Sequence, residues 1–116
     1  MEKYIDSEIT QYWIHFQSGE LKKNHIYPQA MIKCYHEDDF MLQINFYPDA
    51  KSVPPNHYDK KKKLVYLRYP MTMYRHVMDI LRNEKPIYFR YNKALNVGFV
   101  RTGKEPVGEG EYDADF

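Results

Sequence analysis

The side chains best suited to nucleophilic, acid–base or metal chemistry are five histidines (His15, His25, His36, His57 and His76) and one cysteine, Cys34. No H-E-x-x-H or H-x-H spacing joins the histidines into a ligand set. His36 stands beside Glu37 and Asp38, but three such residues in a short acidic run read first as a solvated turn. Cys34 falls in an alternating segment on its apolar side, the setting of a buried, inert thiol. No base or helix start adjoins it to lower its pKa. The only G-x-G, Gly108-Glu109-Gly110, sits among acids that would repel phosphate. Nucleophile-elbow, Walker and kinase signatures are absent. An enzyme is therefore disfavoured, short of a site assembled only in space, and no cofactor is expected.

A different chemistry is written in the tyrosines and cations. The chain of 116 residues has twelve tyrosines and an aromatic fraction of 16%. Tyrosine joins a large ring to a polar tip and suits half-wet surfaces. The net charge of +1 conceals segregation. Residues 1–59 carry a net −4, residues 60–104 a net +10 and residues 105–116 a net −5. Two readings follow: the blocks neutralise one another in the fold, or the central block attracts polyanions.

Alternation then assigns side chains to faces. Residues 8–17 fit both a helical and a strand spacing; their density of aromatic and β-branched residues favours a strand. Residues 1–7 read as a frayed end. In residues 30–36, Ile32 and Cys34 face one way and Met31, Lys33 and Tyr35 the other. In residues 40–47, Phe40, Leu42, Ile44 and Phe46 face inward, and Met41, Gln43, Asn45 and Tyr47 outward. This pair is the clearest hairpin in the chain. Three prolines in residues 48–63 predict a long loop without strand, ending in Lys60, Lys61, Lys62 and Lys63. A lysine run alone reads first as a solvated charge cluster.

Residues 64–69 predict a strand with Val65 and Leu67 inside and Leu64, Tyr66 and Arg68 outside. A helix over 73–83 follows, with Thr72 as its N-cap and Met73, Val77, Ile80 and Leu81 as its apolar stripe. Residues 87–91 predict a strand with Ile87, Phe89 and Tyr91 inside and Tyr88 and Arg90 outside; residues 97–101 return from a turn. The expected fold is α+β: a mostly antiparallel sheet of five or six strands with one helix packed on one face, in the order β-β-β-β-α-β-β. Residues 1–104 form the expected domain, and 105–116 an acidic, flexible tail.

The predicted outward face gathers Trp13, His15, Lys33, Tyr35, Gln43, Asn45, Tyr47, Tyr66, Arg68, Tyr88 and Arg90. Bases of single-stranded nucleic acid stack on rings while Lys and Arg track the phosphates. The expected site is therefore Lys33, Tyr35, Tyr47, Lys60–Lys63, Tyr66, Arg68, Tyr88 and Arg90, on a non-enzymatic binding protein for single-stranded DNA or RNA. Two blander readings stand beside it. Such residues populate the wet face of any antiparallel sheet, and tyrosines also line homodimer interfaces formed through a sheet face or edge. The N-terminus has no apolar run and no segment approaches the ~20 residues of a membrane span, so a cytoplasmic protein without membrane contact is expected.

Overall fold

The structure, a computed structural model, describes residues 3–18 and 26–104. The acidic segment 105–116 and His25 lie outside the described residues. Among the described residues eight strands and one α-helix run in chain order: β1 (Tyr4–Ile9), β2 (Gln11–Phe16), β3 (Ala30–His36), β4 (Asp39–Tyr47), β5 (His57–Asp59), β6 (Leu64–Pro70), α1 (Tyr74–Asn83), β7 (Ile87–Asn92) and β8 (Val97–Thr102).

The α+β class holds, but the strands form two sheets. The smaller, ordered β1-β7-β8, is antiparallel. The larger, ordered β2-β3-β4-β6-β5, is mixed, because β4 and β6 run parallel. Parallel neighbours need a long crossover, and residues 48–63 supply it. That loop also contains what its prolines argued against, the short edge strand β5, which turns back onto β6. Three residues at an edge, placed after the last proline, need no ladder donor from the prolines themselves.

From Tyr4 onward the expected frayed end is instead a paired strand. Ile5, Ser7 and Ile9 of β1 stand opposite Tyr91, Phe89 and Ile87 of β7. A polar strand such as YIDSEI takes its order from a partner about eighty positions away, which local pattern does not disclose. Thr10 then separates β1 from β2, so adjacent residues enter different sheets.

The inner faces of both sheets and one side of α1 share a single apolar cluster. It contains Ile32, Cys34, Leu42, Ile44, Phe46, Val65 and Leu67 from the larger sheet. Ile87, Phe89 and Tyr91 come from the smaller sheet, and Val77, Met78 and Leu81 from the helix. The predicted helix stripe is shifted. Met73 is exposed and Met78 is buried in its stead, because Met71–Met73 is a 3-10 turn and the α-helical period begins only at Tyr74. Thr72 lies inside that turn and makes no cap; the residue at the cap position is Met73, without a side-chain bond. The Tyr74 N–H instead bonds the Met71 carbonyl.

Alternation in β3, β6 and β7 is as the sequence predicts, apart from Leu64, which is buried. In β4 it breaks at a bulge. Cys34 pairs with Leu42 but Tyr35 pairs with Phe40, leaving Met41 as the extra residue. A bulge inserts one residue and reverses the faces beyond it. Phe40 therefore joins Tyr35 on the outer face, and Met41 packs against the core.

Candidate nucleic-acid interface

Residues directly opposite on neighbouring strands share a face, so the register of the larger sheet composes its outer surface. One row crosses all five strands: Trp13, Lys33, Gln43, Tyr66 and His57. The next row is His15, Met31, Asn45 and Arg68. On the other side of the first row lie Gln11, Tyr35 and Phe40.

Rings and cations interleave in these rows. The Lys33 ammonium lies 4.8 Å from the Trp13 ring centroid and 5.4 Å from that of Phe40. The Trp13 indole N–H donates to the Tyr35 hydroxyl at 3.0 Å, and the Tyr35 and Phe40 centroids are 5.3 Å apart. Across the sheet the Arg68 guanidinium sits 5.4 Å from the Tyr66 ring, which stacks on His57 at 6.0 Å. Trp13 is 43% exposed, while Lys33, Tyr35, Phe40, Tyr66 and Arg68 are half-buried. Between the two clusters Gln43 donates to the Asn45 side-chain oxygen at 2.9 Å, so the polar centre of the face is internally held.

Arg68 is fixed by its surroundings. Its backbone N–H donates to the Asn56 side chain at 2.8 Å and its Nη1 to the Pro55 carbonyl at 2.7 Å. Its Nε is buried without a hydrogen-bond partner. The loop before β5 thus closes over one end of the row and orients the guanidinium beside Tyr66.

Lys60–Lys63 form the turn between β5 and β6 and are exposed. Asp59 holds this turn by accepting from the N–H groups of Lys61 and Lys62 at 3.0 and 3.1 Å. Because β4 and β6 are parallel, the lysine turn lies at the same end of the sheet as the Glu37-Asp38 turn leading into β4. A positive and a negative turn therefore flank each other at that end.

Three of the expected residues do not belong to this face. Tyr47 lies on it by alternation but is only 4% exposed, so its ring offers no platform. Tyr88 and Arg90 sit on the outer side of the smaller sheet, and the two outer faces look away from the shared core. Arg90 is already engaged: Nη2 and Nε donate to the two Asp6 carboxylate oxygens at 2.9 and 3.2 Å, and its guanidinium lies 4.4 Å from the Tyr4 ring. The hydrogen bond to Asp6 raises its pKa further. Phe40 and His57 do belong to the face and were not in the expected set. A cross-strand register would have found His57; the bulge that turns Phe40 outward has no sequence signal here.

The catalytic candidates are dispersed. Cys34 is fully buried, and burial pushes its thiol up to about 12. His36 places Nδ1 3.2 Å from the Glu8 carbonyl. His57 borders an open recess of about 310 Å³ with Tyr58, Lys60 and Lys93. The described residues contain no group of three His, Cys, Asp or Glu arranged to hold a metal ion, and no helix among them is long and apolar enough to cross a membrane. Comparison of the chain with protein-family models, with curated proteins and with solved structures gives no match.

Proposed function

We propose that this chain is a non-enzymatic binding protein that holds single-stranded nucleic acid on the outer face of its larger sheet. The observation that carries this reading is the row Trp13–Lys33–Gln43–Tyr66–His57, in which rings and a cation follow one another across five strands. Trp13, Tyr35, Phe40 and Tyr66 supply stacking surfaces; Lys33, Arg68 and the Lys60–Lys63 turn supply phosphate contacts. Stacking contributes about 1–3 kcal/mol per base without demanding a sequence. Two usable rings, one at each end of the row, are enough for a weak, sequence-tolerant grip. The Glu37-Asp38 turn opposes phosphate at one end and favours a strand that runs across the face towards Arg68.

Trp13 is the only tryptophan, so its fluorescence reports on the face itself. Titration with a labelled single-stranded oligonucleotide at two salt concentrations is the test. Saturable quenching of Trp13 and an affinity that falls with salt are expected, since each neutralised phosphate contributes about −0.7 to the log–log slope for single strands. Absence of binding at low salt, or binding indifferent to salt, rejects the reading.

A further inference from the structure

The larger sheet ends in β2, a strand with an unusual edge. QYWIHF contains no Lys, Arg, Asp, Glu or Pro, the residues that commonly protect an edge from pairing with another chain. Its apolar side chains are exposed on both faces: Trp13 at 43% on one, Ile14 at 38% and Phe16 at 57% on the other. Among the described residues no strand pairs with its far side. The other edges differ. β1 carries Asp6 and Glu8, β8 carries Arg101, and β5 is three residues long beside the lysine turn.

The ladder also shows which backbone groups face outward. Gln17 N–H donates to the Gln29 carbonyl at 2.8 Å, in register with the β2–β3 pairing. Alternation of an antiparallel ladder then turns the amides of Gln11, Trp13 and His15 towards β3. Those of Tyr12, Ile14 and Phe16 point to the open edge. We propose that β2 is a homodimerisation edge, at which two copies of this chain pair β2 with β2 antiparallel about a two-fold axis at Ile14.

This register uses every outward amide. Ile14 faces the partner's Ile14, and Tyr12 faces the partner's Phe16. On the other face Trp13 meets the partner's His15. A register centred on Trp13 leaves Phe16 without a partner within the strand. A second copy is the favoured occupant because a symmetric pairing sets Ile14 on Ile14 and Tyr12 on Phe16 on one face, and ring on ring, Trp13 on His15, on the other. Its strand also carries no charge to be opposed by the same charge across the axis. The dimer has one ten-stranded sheet and a continuous outer face through the two Trp13–His15 pairs. The inference stands apart from what that face binds.

The test uses the full chain. Sedimentation velocity should show a concentration-dependent dimer. Ile14→Pro should give a monomer with an unchanged circular dichroism spectrum, because the Ile14 N–H points away from β3 and no strand among the described residues pairs on that side. Ile14→Cys should form a disulfide-linked dimer on mild oxidation, since facing residues of a hydrogen-bonded pair stand about 5.5 Å apart at Cα. Phe16→Cys should not, because its symmetry mate lies four residues along the strand; the native Cys34 is buried and does not compete. A wild-type monomer up to about 1 mM overturns the proposal, including when an added extended peptide binds the edge. A dimer that survives Ile14→Pro also overturns it, as does cross-linking of Phe16→Cys as readily as of Ile14→Cys. Oligonucleotide binding by the monomeric Ile14→Pro chain separates this outcome from that of the nucleic-acid reading.

Discussion

Gly98 of β8 lies against Leu67 of β6: a Cβ built on Gly98 would stand 2.5 Å from Leu67 Cδ2 and 3.1 Å from the Arg90 carbonyl. The missing side chain lets β8 of the smaller sheet pack against β6 of the larger one here. Leu67 is 1% exposed and enclosed by the core, so it has little room to yield. Gly98→Val should destabilise the fold by about 1–3 kcal/mol, the usual cost of overpacking a filled interior. Urea unfolding monitored at Trp13 measures it, and a change below about 0.5 kcal/mol would mean that the sheets part without penalty.

Asn56 and Asn96 clip the loop before β5 to the β7–β8 turn. Asn56 donates to the Asn96 carbonyl at 3.1 Å and Asn96 returns a bond to the Asn56 carbonyl at 2.7 Å. Asn56 also accepts from the Arg68 N–H, and Asn96 accepts from the Tyr91 hydroxyl. Asn56→Ala should cost about 1–3 kcal/mol, because partners are left unsatisfied. Asn96 has φ 56°, so Asn96→Gly keeps the backbone and loses only the bonds, whereas Asn96→Ala loses both. Thermal melts should rank Gly above Ala at this position; the reverse order would show that the backbone conformation carries no weight.

Burial raises Cys34 to about 12 from an ordinary value near 9.0. The folded-state pKa lies above the unfolded one, so this thiol favours the fold fully below about pH 9. The contribution is lost as pH rises towards 12. Tyr69, also raised by burial, acts in the same direction. The native chain should ignore a thiol reagent at pH 8 and react at once in denaturant. Stability should decline on the alkaline side, and Cys34→Ala should lessen that decline. Rapid labelling of the native chain would place the thiol outside the core.

The proposed face makes a division among aromatic and basic residues that look alike in the sequence. Trp13→Ala and Tyr66→Ala should each weaken oligonucleotide binding by about 1–3 kcal/mol. Lys33→Ala should weaken it and lower the salt slope by roughly one phosphate contact. Tyr88→Ala and Arg90→Ala should leave affinity unchanged, because they lie on the other sheet. Anisotropy titrations of the five variants, with the Arg90 variant first checked for fold, decide between this face and the smaller sheet.

Local pattern alone determined a good part of this protein. The β3–β4 hairpin, the inward Val65 and Leu67, the alternation of β7 and the helix over most of its length follow from periods of 2 and 3.6 residues, because apolar side chains must reach one side of their element. The same rule placed Trp13, Lys33, Tyr35, Tyr66 and Arg68 on a wet face. Only the tertiary structure decided which wet face each residue joins. Alternation gives the side of a strand but not the sheet the strand enters, so Tyr88 and Arg90 could not be parted from Tyr66 and Arg68 before β7 was seen to pair with β1. Nor could local pattern reveal the strand in residues 4–9, the parallel pairing of β4 with β6, or the bulge that turns Phe40 outward. Each depends on which distant backbone satisfies a strand's hydrogen bonds, a choice made by packing over the whole chain.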